Sequence, residues 1–368
     1  ERLRRGRYTW YQVHVKRRDG GGGVEASVPL SWGTLTSGVD LKYGSVNGKD
    51  DYQTEDKAVE NRGKQIILSP FLNTEVDVGE KLTINLGGRY DWVKSYDGYF
   101  YDSSGYLTSK DYATKSWGEF SPRLGLLYRI GDTVILRGSL GKAFRAPILD
   151  DLYRSGIFRG RIYAANPELE PESIISCELG LEDWITPHLG VKLSGYWSDA
   201  RDFFYPIKVG IDPATGRDLY QRKNVGKAEI YGLEAELSHE VAPHWSWWSN
   251  LTWNRSRIRE FEPDRSLEGK DLEYTPHIKY NLGLSYSSPK LINVGVVGRY
   301  VGKMYADAEN TQELDPYFLV DLRLSREIAG FMEVHLDITN LFDKEYEEYP
   351  GSLAPGRVIM VGMELAYR

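Results

Sequence analysis

From Phe331 to Gly351 the chain reads FMEVHLDITNLFDKEYEEYPG. Met332, Val334, Leu336 and Ile338 are apolar, and Glu333, His335, Asp337 and Thr339 between them are polar. That period of two belongs to a strand with one greasy and one polar face. It recurs along the sequence. Ile278, Tyr280, Leu282, Leu284 and Tyr286 alternate with His277, Lys279, Asn281, Gly283 and Ser285. Leu82, Ile84, Leu86, Gly88, Tyr90 and Trp92 alternate with Lys81, Thr83, Asn85, Gly87, Arg89 and Asp91. No comparable stretch has a convincing helical period, so the chain reads as all-β.

Sixteen strands are predicted, over 7–18, 24–31, 35–46, 63–77, 81–95, 116–130, 132–144, 172–186, 189–203, 219–240, 245–260, 275–288, 291–304, 316–328, 331–344 and 355–367. Short turns alternate with longer polar, aromatic loops at 47–62, 96–115, 145–171, 204–218, 261–274, 305–315 and 345–354. One place breaks the alternation: Gly20–Gly23 stands where a long loop is expected, and reads as a flexible turn or a shortened loop. Most of the strands reach the roughly 9–11 residues that cross a bilayer at a tilt, whereas soluble sandwich strands run nearer about five or six. A meander with tight turns at one end and long loops at the other is the layout of an antiparallel transmembrane β-barrel. About sixteen strands leave a lumen too wide for side chains to fill. In such a barrel Met332, Val334, Leu336 and Ile338 face lipid, and Glu333, His335 and Asp337 face water.

Composition narrows this further. The chain has 368 residues, with Tyr 26, Trp 10 and Gly 38, and aromatic residues at 13%. Mean hydropathy is -0.47, and no apolar run reaches the about 18 residues of a membrane helix; alternating barrel strands do not need one. Aromatic residues gather near predicted strand ends (Tyr90 and Trp92; Trp245, Trp247 and Trp248; Tyr300 and Tyr305; Tyr367), as interfacial girdles do. A net charge of -7, with both signs interspersed, gives no support to nucleic-acid binding. Cys177 is the single cysteine and the six histidines show no ligand spacing, so no metal site and no cofactor are expected. The N-terminal ERLRRGRYTWYQVHVKRR lacks the apolar core of a signal peptide.

Four motifs in order resemble the barrel of TonB-dependent outer-membrane receptors. SPRLGLLYRIGDTVILRGSLGKAFRAPILDDLY (Ser121–Tyr153) resembles the family's mid-barrel hairpin and its Phe-Arg-Ala-Pro segment. NPELEPESIISCELGLE (Asn166–Glu182) is similar to its loop-to-strand entry, and NVGKAEIYGLEAEL (Asn224–Leu237) to its Asn-x-Gly-x-Ala-x-x-x-Gly-x-Glu strand. LDITNLFDKEYEEY followed by PGRVIMVGMEL resembles the last hairpin. The resemblance implies a barrel of about 22 strands around an N-terminal plug. On that reading residues 1–368 are barrel domain alone, lacking the plug, the element that recruits TonB and about the first six strands. It implies an integral outer-membrane protein of a Gram-negative cell, in contact with outer-membrane lipid. It implies no enzyme, but a TonB-energised importer of a scarce nutrient, a ferric siderophore or a cobalamin-like ligand. Its partners would be that small metal chelate or vitamin and, through the missing N-terminal region, the TonB complex. The family ends on an aromatic residue; here Ile359, Val361, Met363, Leu365 and Tyr367 form the outward row and Arg368 follows. Two rival readings stand beside it: a plug-less porin-like passive pore, and a soluble all-β binding module such as a propeller, for which repeats of about 40–50 residues are not found.

The loop after Phe144, Arg145, Ala146 and Pro147 carries Tyr153, Arg154, Phe158, Arg159, Arg161 and Tyr163, a basic and aromatic set suited to an anionic chelate. Contact with lipopolysaccharide phosphates, or plain solvation, is the alternative for it. The interval holds no histidine, which argues against haem. Arg137, Arg299, Arg323, Glu234, Glu236, Glu333, His335 and Asp337 are expected to line the lumen, mainly as mutual charge partners. The acidic EFEPDRSLEGKDLE (Glu260–Glu273) lacks the ordered oxygen spacing of a calcium loop and reads as solvated.

Overall fold

The computed structural model describes residues 10–54, 56–104, 109–158, 161–212, 216–288, 290–328 and 330–365. Fifteen long strands form one antiparallel meander. They are β1 (Tyr11–Leu30), β2 (Gly33–Tyr52), β3 (Lys57–Val78), β4 (Leu82–Asp102), β5 (Lys115–Ile130), β6 (Val134–Arg145), β7 (Glu172–Thr186) and β8 (Leu189–Ile211). There follow β9 (Asp218–Ala242), β10 (Trp245–Glu260), β11 (Ile278–Ser287), β12 (Asn293–Val301), β13 (Tyr317–Ile328), β14 (Met332–Thr339) and β15 (Val358–Leu365). Each long strand pairs with the next, and among the described residues β1 and β15 are the two edges of the sheet. No described helix is long and apolar enough to cross a membrane.

The register separates the two faces. Phe318, Tyr300, Tyr280, Leu251, Ala235, Leu193, Leu181, Leu136, Tyr128, Leu82 and Val78 stand opposite one another from β13 to β3, a continuous apolar and aromatic row. One residue along, on the other face, Arg299, Asn281, Asn250, Glu236, Lys192 and Glu182 make an entirely polar row from β12 to β7. The apolar face is bare: Leu179 and Val361 are 74% and 75% exposed. A large exposed apolar face marks an interaction surface, and one belting an antiparallel sheet fits lipid.

Three expectations are corrected. The predicted strands 7–18 and 24–31 are, over the described Tyr11–Leu30, one strand, so the long strands among the described residues number fifteen rather than sixteen. The Gly20–Gly23 run is neither turn nor loop: it pairs in unbroken register with Tyr43, Lys42, Leu41 and Asp40 of β2. Glycine has a use there, because a β-carbon on Gly23 would overlap the Asp40 carboxylate. The loops predicted at 47–62 and 204–218 are largely strand as well, since ladder pairing continues to Tyr52↔Lys57 and to Ile211↔Asp218. Over 47–62 both faces are mainly polar, so hydropathy loses the strand while backbone pairing keeps it. Over 204–211 the sequence FYPIKVGI is mostly apolar, and its Pro206 and Gly210 read as loop residues although the ladder continues.

Candidate functional site

At the long-loop end, residues 146–171 fold back over the polar face. Pro147 and Ile148 lead into a single helical turn, α1 (Leu149–Tyr153), which lies against β2, β3 and β4. Leu152 and Tyr153 are buried and, with Leu169, Val93, Trp117 and Phe204, form the larger core cluster on this face. The Tyr153 ring sits over two bare backbones, since a β-carbon on Gly63 or Gly98 would overlap it. It also stacks on Tyr112 at 5.7 Å. Burial pushes its hydroxyl up to about 12. Tyr153, expected as a ligand contact, is therefore a packing residue: at 2% exposure its ring is spent on the loop's own core.

Charge fastens the helical turn on two sides. Asp150 pairs with Arg17 of β1, and Asp151 with Arg222 of β9. Burial pushes the Asp151 carboxyl up, against the opposing pull of Arg222 and Arg145. Arg154 lies 3.6 Å from the buried Asp50 of β2. Gln65 of β3 donates to the Pro147 carbonyl and to Ser95 Oγ, both at 3.0 Å.

The chain then makes a small hairpin, Gly156–Phe158 against Arg161–Ala164, whose second arm pairs in parallel with Leu219–Gln221 of β9. This brings Tyr163 onto Tyr220 (5.9 Å between rings), with the Arg222 guanidinium 5.6 Å from the Tyr163 ring. Phe158 and Arg161 face each other in the hairpin ladder, and Arg159 lies outside the described residues.

The motifs converge here. Asn166 donates from Nδ2 to the Arg222 carbonyl (2.8 Å) and accepts from the Glu168 amide (3.0 Å). Asn224 accepts from the Glu170 amide (2.8 Å) and donates to the carbonyls of Glu170 (2.7 Å) and Asp202 (2.9 Å). Trp117 Nε1 donates to Glu170 Oε2 at 2.5 Å. The segments around Ala146–Pro147, Asn166–Pro167 and Asn224 are thus three parts of one fastening. Arg222, Asp151, Arg17 and Asp50 were not singled out from sequence; only the neighbourhood of Arg222 to the Asn224 motif pointed that way.

The eight expected lumen residues lie on the polar face. Arg137 and Glu234 share a row through Gly180 and Ser194. Arg137 is 3.2 Å from Glu182, and Glu236 is 4.0 Å from Lys192. Arg299 pairs with Asp321 at 2.9 Å. Arg323 reaches Asp337 at 3.6 Å and Glu333 at 3.9 Å, and His335 is 3.6 Å from Asp337. Nearer the short turns, a cleft of about 780 Å³ opens beside Thr36, Asn73, Asn85, Arg123, Ser139 and Ser176.

A second loop cluster packs Tyr205, Val225, Ile258, Phe261, Leu267 and Ala308. The acidic segment Glu260–Glu273 is therefore not simply solvated: Phe261 and Leu267 are buried, and Asp264 caps a short 3-10 turn through Ser266. Asp307 fastens the facing loop, accepting from Thr311 Oγ1 (2.6 Å) and from the amides of Thr311 (3.0 Å) and Gln312 (2.7 Å). Burial opposes its charge, but these hydrogen bonds outweigh burial and hold its carboxyl below the usual value. Among the described residues no group of three or more His, Cys, Asp or Glu is placed to hold a metal.

Residues 2–341 match the family model described as TonB dependent receptor-like, beta-barrel. The chain belongs to the TonB-dependent receptor β-barrel family. Two curated relatives of this TonB-dependent barrel are receptors or iron-regulated surface proteins. The iron-regulated outer membrane virulence protein of Vibrio cholerae is 24% identical over 92% of the chain and 50% of its own length. The ferrienterobactin receptor of Escherichia coli is 26% identical over 61% of the chain and 32% of its own length. The ferric yersiniabactin uptake receptor FyuA of Yersinia pestis has the same fold, with a TM-score of 0.75 at 14% identity over 98% of the chain and 56% of its own. The chain spans about half or less of the length of these relatives. The family and the two-faced sheet place it in the outer membrane and remove the soluble-module reading.

Proposed function

We propose that these strands are one arc of a TonB-energised importer of an anionic ferric chelate of the siderophore class, a transport role without catalysis. The observation that carries the reading is the anchored loop 146–171. It brings Arg222, Tyr163 and Tyr220 together over the polar face, an arrangement suited to gripping a flat, anionic, aromatic-rich ligand by charge and stacking. The names of the relatives, which concern iron and a ferric chelate, support the same substrate class. Arg154 and Tyr163 remain ligand-contact candidates of the original set, with Phe158 and Arg161 on the hairpin that carries Tyr163; Arg159, also of that set, lies outside the described residues. The polar row of Arg137, Glu234, Glu236, Arg299, Arg323, Glu333, His335 and Asp337 is read as the wall of a wet lumen. Among the described residues β1 and β15 each have one edge without a partner strand, which supports closure by further strands, because an unbonded backbone edge is costly in lipid. A plug within that wider barrel would be the element engaging TonB.

The test is uptake of a panel of radiolabelled ferric chelates by iron-starved cells, with the receptor intact, deleted, or carrying Tyr163→Ala with Arg222→Gln. The proposal expects one chelate to be lost on deletion or on loss of TonB, and to be taken up at least about ten-fold less efficiently by the double variant. Uptake that persists without TonB would overturn it in favour of passive diffusion.

A further inference from the structure

The outward face of β1–β4 changes character abruptly above its apolar band. On β4 the outward residues run Leu82, Ile84, Leu86, Gly88, Tyr90 and Trp92, and the next is Lys94. Ten residues of a tilted strand climb about 25 Å, the height of the lipid-facing band. Lys94 therefore sits at the level where lipid headgroups begin. In register, Lys94 stands opposite Ile66, Ile66 opposite Tyr43, and Tyr43 opposite Gly20. Because the strands tilt, this row descends toward the short turns by about 9 Å over the three steps, so the headgroup level lies a few residues above Gly20 on β1, near Lys16 and Arg18. The next outward row is Tyr96, Lys64, Ser45 and Arg18, and the one above it Tyr99, Arg62, Asn47 and Lys16.

Five cations thus occupy a facet four strands wide, about 15 Å across. Asp97 lies 2.9 Å from Lys64 and 3.5 Å from Arg62, and Asp111 lies 3.5 Å from Arg62. Lys16, Arg18 and Lys94 have no carboxylate within ion-pair range among the described residues. The corresponding region of β8–β10 differs. There Arg201 is held by Asp199 at 2.7 Å, and Arg259 lies between Glu229 at 3.7 Å and Asp199 at 3.9 Å. Arg201 and Arg259 of β8–β10 thus have carboxylate partners, whereas Lys16, Arg18 and Lys94 of β1–β4 carry charge without one among the described residues.

We propose that this facet is a binding surface for the phosphorylated glycolipid of the outer leaflet. Lys94, Arg18 and Lys16 would grip its phosphates, and Tyr43, Tyr96 and Tyr99 would lie against the sugar and acyl boundary. The inference rests on the outer-membrane location and not on the import reading, so either can fail alone.

The experiment measures glycolipid bound to the receptor extracted from outer membranes in mild detergent, by native mass spectrometry. The probes are bis-phosphorylated lipid A and its dephosphorylated form. The native protein is expected to bind the phosphorylated probe and to discriminate against the other. The triple variant Lys16→Gln, Arg18→Gln, Lys94→Gln is expected to bind it about ten-fold or more weakly, while Arg201→Gln with Arg259→Gln leaves binding unchanged. If the triple variant does not insert, Lys94→Gln alone is expected to weaken binding about three-fold or more. Equal binding of the two probes by the native protein, or full binding by an inserted variant, would overturn the proposal.

Discussion

The ring of Tyr153 rests on the bare backbone of Gly98, where a β-carbon would overlap it. The contact joins a loop to a strand more than fifty residues earlier in the chain, and it sets where the loop lies on the polar face. Gly98→Ala should destabilise the loop by about 1–3 kcal/mol through overpacking. Tyr153→Ala should cost about 3–5 kcal/mol through the cavity it leaves, whereas Tyr153→Phe should stay within about 1 kcal/mol. Protease cleavage within 146–171, on cells or in vesicles, reads all three. If Tyr153→Ala leaves the loop as protected as the native chain, the packing role assigned to this ring is wrong.

Asn224 is the side chain that ties the Asn166–Pro171 segment to β8 and β9, through three hydrogen bonds. Asn224→Ala leaves the Glu170 amide and two carbonyls without that partner, a loss of about 1–3 kcal/mol. Asn224→Asp keeps the acceptor for the Glu170 amide and loses both donations, so it should fall between. Hydrogen exchange at the Glu168 and Glu170 amides should rise in that order; equal exchange in all three proteins would contradict the assignment.

The two faces predict opposite responses to charge. Leu251→Arg puts a cation in the middle of the apolar row and should weaken folding into lipid vesicles by about 2–4 kcal/mol. Glu236→Gln, on the polar row, should change it by less than about 1 kcal/mol, since its partner Lys192 is at 4.0 Å and both are exposed. Heat-modifiable gel mobility after refolding into vesicles gives the comparison.

Asp307 gives the second loop cluster a pH dependence of definite sign. Its carboxyl is held below the usual 3.8, so the unfolded loop binds the proton more readily than the folded one. The stabilisation is complete above that usual value and is lost as pH falls through the lower, folded one. Protease protection of 302–316 should therefore stay level from pH 7 to about pH 4 and decline below it. Asp307→Asn should remove the decline and lower protection at pH 7.

The sequence displayed the barrel because lipid imposes a strict period of two, and Leu251, Leu233 and Leu179 could not alternate so cleanly otherwise. It also showed which segments matter at the loop end, though not why. Asn166 and Asn224 stand in separate motifs, and only the folded chain shows that they fasten the same loop. Gly20–Gly23 misled because glycine in an edge strand and glycine in a turn look alike without the partner strand. The upper parts of β2 and β3 were missed for a related reason, since mainly polar residues on both faces leave no hydropathy signal. Those of β4 and β8 were read as loop as well, the latter through Pro206 and Gly210 in its FYPIKVGI. Tyr153 was misassigned because an aromatic ring in a basic loop gives no sign, in sequence, of whether it points out or packs inward.

The most direct test of the two-faced sheet is a spin-label scan along β10. In a Cys177→Ser background, single cysteines at Ser249, Asn250, Leu251, Thr252 and Trp253 are labelled in the membrane-inserted protein. The account predicts a period of two, with labels at Leu251 and Trp253 relaxed by dissolved oxygen and labels at Asn250 and Thr252 relaxed by a water-soluble nickel chelate. A scan in which both relaxants reach every position alike would contradict it.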